Sequence, residues 1–85
     1  MQMLAAILSR YGISSAVTST IDPHRDDWGQ WRVKFSGPGA PSVLMDIGGA
    51  SRLAAELRHN AEVTLADRLD AVVATTRRYA RGRQL

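Results

Sequence analysis

Arg77, Arg78, Arg81 and Arg83 fall within seven residues near the end of this 85-residue chain, with Tyr79 among them. Guanidinium groups at that density can hold phosphates, where each contact adds salt dependence, or can meet an acidic patch on a protein. They can also simply complement a helix terminus. In the last helical stretch the acids Glu62, Asp67 and Asp70 come early and Arg77, Arg78 and Arg81 come late. That order suits the helix dipole, and the dipole is the first expectation for the arginines.

Other groupings are weaker as chemistry. Asp22, His24, Asp26 and Asp27 lie close together in "DPHRDD" and have the types needed for metal ligation or acid–base work. Asp and Pro are also turn formers, and a polar hairpin tip accounts for them. "IGGAS" before a helix offers the N–H groups of Gly48, Gly49 and Ala50, but no Gly-Lys-Ser/Thr follows as in a phosphate loop. "GPG" at 37–39 loses a donor at Pro38 and reads as a turn. No Gly-x-Ser-x-Gly nucleophile pattern occurs. No catalytic, cofactor or metal residue is therefore assigned, and the expectation is a protein that is not an enzyme.

Composition narrows the classes further. The absence of cysteine excludes disulfides and thiolate metal sites. A domain this small buries only about 60% of the surface its unfolded chain exposes. Self-association, most simply as a homodimer, is the remaining route to extra stability. Residues 1–76 carry seven basic and eight acidic side chains, whereas residues 77–85 carry four arginines and no acid. The positive charge belongs to the carboxyl end and the body is balanced. The apolar run Met3 to Leu8 is too short for a membrane span and has no basic region before it, so a cytoplasmic location is expected.

Positioning these residues requires a scaffold, and hydrophobic periodicity supplies one. Residues 1–11 form a helix, with Met1, Leu4, Ile7, Leu8 and Tyr11 on one stripe and Gly12 as its stop. Residues 13–21 alternate as a strand with Ile13, Val17 and Ile21 on one face, and 22–29 form a hairpin loop. "GQWRVKFSG" is the clearest strand, with Trp31, Val33 and Phe35 inward and Gln30, Arg32, Lys34 and Ser36 outward. Pro38-Gly39 suits the centre of a type II turn. "SVLMDI" follows as a strand with Val43, Met45 and Ile47 facing the core. "SRLAAELRHN" is a helix capped by Ser51 and closed by Asn60. Residues 64–81 form the longest helix, with Thr64 as N-cap and Asp67 completing a capping box before Gly82. The result is a single α+β domain over 1–85 with the order α-β-β-β-α-α. Its three-stranded antiparallel meander has helices packed on one face, and 76–85 form a basic helix end and tail.

Up to about residue 60 the element order resembles the double-stranded-RNA-binding domain. "WRVKFSG" is similar to that family's second strand, and "GGASRLAAEL" to the entry of its final helix. The resemblance implies helices on one face of a three-stranded sheet. That family holds phosphates with lysines at the helix entry; here Arg52 stands there, followed by Leu53 and Ala54.

A binding module is the reading that remains. A balanced body lacks the basic stripe that duplex binding needs. The first expectation is a small intracellular regulatory or adaptor protein, anti-activator- or antitoxin-like, that binds a larger protein. Its contact candidates are Trp28, Arg32, Lys34, Arg77, Arg78, Arg81 and Arg83. Trp28 is expected to fold back onto the core, with an interface role if exposed. The alternative is a nucleic-acid binder using the terminal arginines with the polar sheet face.

Overall fold

A computed structural model of the chain describes residues 3–82. Met1, placed above on the first helix, and Arg83 of the arginine cluster lie outside the described residues. The order of elements is α1 (Leu4–Arg10), a single 3-10 turn (Ser15–Val17), β1 (Thr20–Arg25), β2 (Trp31–Gly37), β3 (Ala40–Met45), α2 (Ile47–His59) and α3 (Val63–Gly82). The sheet is an antiparallel meander in the order β1-β2-β3. The α+β class and the α-β-β-β-α-α order match the sequence expectation.

Ile21 lies opposite Phe35, which lies opposite Val43, and Val33 lies opposite Met45. These side chains point to the helices, so the period-two pattern of β2 becomes one buried face. Ala50, Leu53, Ala54 and Leu57 of α2 and Ala66, Leu69 and Val73 of α3 complete the core with Ile7 and Leu8 of α1. Thr76, fully buried on α3, satisfies its hydroxyl by donating to the Val72 carbonyl at 2.6 Å. No helix among the described residues is long and apolar enough to cross a membrane.

The first strand is displaced from its expected place. Ile13 and Val17 are buried as expected, but Ile13 follows the helix stop at Gly12 and Val17 ends the 3-10 turn. A four-residue spacing serves a turn as well as a strand. The Thr18 hydroxyl donates to the Ser15 carbonyl at 2.9 Å, a local bond that competes with a sheet ladder. β1 instead takes in Asp22, Pro23, His24 and Arg25, which the sequence pattern assigned to the loop. Pro23 is tolerated there because β1 is an edge strand. The 3-10 turn packs across the end of β2, so close that a Cβ on Gly37 would sit 1.7 Å from the Ala16 carbonyl oxygen.

The helix starts also differ. Asp46, not Ser51, caps α2: its Oδ1 accepts from the Gly49 N–H at 2.6 Å. Ile47 therefore opens the helix rather than ending β3, and the two glycines form its first turn. α3 begins at Val63, which puts Thr64 inside the first turn rather than at the cap. Asn60 does close α2, with its Nδ2 donating to the Glu56 carbonyl at 2.9 Å, and Ala61 takes the left-handed conformation (φ 65°) that reverses the chain into α3.

Candidate partner-binding site

The site starts from one carboxylate. Oδ1 of Asp26 accepts from the backbone N–H groups of Trp28 at 3.0 Å and Gln30 at 2.8 Å, and Oδ2 accepts from Arg32 Nε at 2.8 Å. The Gly29 N–H donates to the Asp26 carbonyl, the Asp26 N–H donates to the Gln30 carbonyl, and Gly29 takes φ 82°. This is a type I turn followed by a left-handed bulge residue, a standard three-residue hairpin connection. The Arg32 guanidinium, helped by the two backbone donors, holds the Asp26 carboxyl below its ordinary value of 3.8. Only 6% of the Asp26 side chain remains exposed.

With the turn pinned in this way, Trp28 is carried outward and is 86% exposed. The expectation that its indole folds back onto the core is overturned. The central positions of the turn project away from the sheet, and the indole is carried clear of the core with them. Asp26 as the organiser was missed in the sequence, although Asp with Gly three residues later is a turn signal.

Antiparallel pairing then decides what stands near Trp28. Arg25 lies opposite Trp31, and Met45 lies opposite Val33, so the end of β1, the start of β2 and the end of β3 share one end of the sheet. α2 begins there, two residues after Met45. α3 runs back antiparallel to α2 and returns to the same end, where Tyr79 meets Trp31 with ring centroids 5.1 Å apart and planes 52° apart. Tyr79 is 49% exposed. The indole Nε1 of Trp31 is buried with no hydrogen-bond partner among the described residues. Arg77, Arg78 and Arg81 are all exposed on these last turns of α3. The fold thus brings Trp28, the Trp31–Tyr79 pair and three arginines of the cluster to one end of the molecule.

Two candidates are not part of that end. Arg32 and Lys34 alternate with the buried Val33 and Phe35, so they lie on the sheet face turned away from the helices. Arg32 is bound to Asp26, and Lys34 stands between Asp22 and the 42% exposed Leu44. The sheet separates both from the arginines of α3. Of the acidic grouping, Asp22 and His24 share this open face with Arg32 and Lys34, Asp26 folds into the turn against Arg32, and Asp27 is exposed at the tip. Among the described residues no three His, Asp or Glu side chains form a group able to hold a metal ion.

The dipole explanation of the arginine cluster fails in detail. Among the described arginines, only Arg81 lies in the last turn of α3, and the first turn holds no acid. The dipole acts within a single turn of each terminus. Asp67 and Asp70 serve another purpose: both accept from Arg58 of α2, at 2.9 Å for Asp67, and raise the Arg58 pKa above its ordinary value, Asp70 contributing most.

No family model, curated protein or solved structure matches this chain.

Proposed function

We propose that this chain is a small, non-enzymatic protein–protein interaction module of the regulatory or adaptor kind, anti-activator- or antitoxin-like, acting in the cytoplasm on a larger protein. The observation that supports the reading is Trp28: a fully displayed indole on a turn whose geometry one carboxylate fixes. Aromatic anchors of this kind dominate interface energetics. Burying an indole removes about 150–250 Å² from water, or about 4–6 kcal/mol before the costs of association. A turn already set by Asp26 and Gly29 lowers those costs, because little ordering is left to be done on binding. Pairing with a second copy belongs to the same reading, and light scattering of the isolated protein reads it directly.

The nucleic-acid alternative draws on the arginines of α3 that have no ion pair among the described residues. Against it stand the separation of Arg32 and Lys34 from α3 by the sheet and the acids at the hairpin tip. Affinity capture from the native cell with the wild-type chain and with Trp28→Ala, each with and without nuclease, tests the reading. Trp28→Ala is expected to retain the wild-type circular dichroism and to lose the captured protein, with nuclease making no difference. Capture that survives the substitution, or that nuclease abolishes, overturns it.

A further inference from the structure

The described arginines differ in how they are bonded. Arg10 pairs with Glu56, Arg32 with Asp26, and Arg58 with both Asp67 and Asp70. Arg68 donates to the carbonyls of Thr18 and Ser19 at 2.9 and 3.0 Å. By contrast, Arg25, Arg52, Arg77, Arg78 and Arg81 are exposed and take part in no ion pair among the described residues, and the one side-chain hydrogen bond seen for them runs from Arg78 to the Thr75 hydroxyl at 3.2 Å. Three of the five stand together on the last turns of α3. The nearest acid behind them on α3, Asp70, is already engaged by Arg58. The dipole supplies a reason for Arg81 alone. Among the described residues, Arg77, Arg78 and Arg81 are thus grouped without an ion pair at the end of the fold that also displays Trp28.

We infer that the partner surface is an acidic protein segment, rich in Asp and Glu, which meets Arg77, Arg78 and Arg81 while an apolar recess beside it receives Trp28. This rests on Trp28 as the anchor. Charge complementarity assigns the sign: cations at the same end as an aromatic anchor steer an anionic partner and suppress cationic ones. Arg rather than Lys suits carboxylates, since its planar fork can bond both oxygens. The acids at the same end favour protein over phosphate. Asp27 is exposed next to Trp28, and Asp46 caps α2 where that helix starts. A uniformly anionic phosphate chain laid from α3 to the hairpin would meet Asp27, whereas a folded surface can set a cation or a donor opposite it.

The test uses the full chain and three probes: a labelled peptide of glutamate, aspartate and leucine, its glutamine–asparagine analogue, and a single-stranded oligothymidine, each titrated at low and moderate salt. The acidic peptide is expected to bind and perturb the emission of Trp28, while the neutral analogue does not bind. Arg77→Ser/Arg78→Ser/Arg81→Ser is expected to weaken acidic-peptide binding at least about tenfold and to flatten its salt dependence. The inference is overturned if the acidic peptide does not bind, if the triple variant binds it like the wild type, or if oligothymidine binds more tightly than the peptide. Trp28→Ala separates the two claims. Binding lost in the triple variant but kept in Trp28→Ala removes the anchor and leaves the acidic partner. The reverse pattern removes the acidic partner and leaves the anchor.

Discussion

The two ends of α3 are built from the same residue types and used in opposite ways. Around its first half every charged side chain of the helix is engaged within the molecule. Asp67 and Asp70 bind Arg58, and Arg68 reaches across to the carbonyls that lead into β1. At that end too the 3-10 turn closes over Gly37 with no room for a side-chain carbon. Around its last turns Arg77, Arg78 and Arg81 are exposed without ion pairs among the described residues, Tyr79 is half exposed on Trp31, and Trp28 stands out from the hairpin. One end spends its charges on holding layers together and the other keeps them available. In a domain with so small a core, charges left unspent are where a binding role is to be sought.

The largest break in this comparison comes from the closed end. Gly37→Ala places a methyl group 1.7 Å from the Ala16 carbonyl oxygen, a backbone atom that no rotamer change can move. The 3-10 turn must lift off the end of β2, taking Val17 with it. A loss of about 2–4 kcal/mol is expected from the overpacking and the displaced core contact, read as a fall in the urea midpoint. Binding through Trp28 in the surviving folded fraction should be unchanged. A variant as stable as the wild type would show that this end is not closed as described.

A paired substitution gives a smaller and sharper contrast. Arg68→Ala removes the donor shared by the Thr18 and Ser19 carbonyls. Both bonds are exposed, so water replaces part of what is lost, and about 1 kcal/mol of stability is expected to go. Arg81→Ala, in the same helix, removes a side chain with no ion pair among the described residues and is expected to change stability by less than about 0.5 kcal/mol. The same urea titration measures both. Equal losses would mean that the arginines at the open end also hold the fold together.

Much of the scaffold was legible because it rests on periodicity. Trp31, Val33 and Phe35 alternate cleanly, and the α3 stripe of Leu69, Val73 and Thr76 follows helical spacing, so elements and core faces came out of pattern alone. The first strand was misplaced because Ile13, Val17 and Ile21 fit two periods at once; the hydroxyl of Thr18 decided for a turn. The start of α2 was read late because two glycines look like a loop, and Ser51 competes with Asp46 as a cap although the Asp46 carboxylate needs to reach only three residues on, to Gly49. The candidate site was half legible. Trp28 and the arginines were singled out, but nothing local says that they share an end, since 49 residues separate Trp28 from Arg77. Their meeting depends on strand register and on α3 reversing at Ala61. Arg32 looked free because its partner, Asp26, is six residues away across a turn.

The subtlest test stays within the open end and asks whether its two parts are independent. The Asp26 carboxyl is held below 3.8 by Arg32 and by the N–H groups of Gln30 and Trp28. A lowered folded-state value means that the stabilisation is present above the unfolded value and is lost as pH falls through the folded one. Between neutral pH and about 4 the hairpin should therefore hold, and below 3.8 it should loosen. Because the turn is at the surface, global unfolding need not follow. The expected signal is a change in Trp28 mobility by fluorescence anisotropy, while the Trp31–Tyr79 contact and the far-ultraviolet dichroism stay constant. Asp26→Asn should show the loosened turn at neutral pH, since an amide cannot offer Arg32 a charged acceptor. If the anisotropy does not respond to acid or to Asp26→Asn, the display of Trp28 owes nothing to this carboxylate. If acid disturbs Trp31 and Tyr79 as well, the tip and the end of α3 form one cooperative unit. The partner would then meet a single rigid surface rather than two adjustable ones.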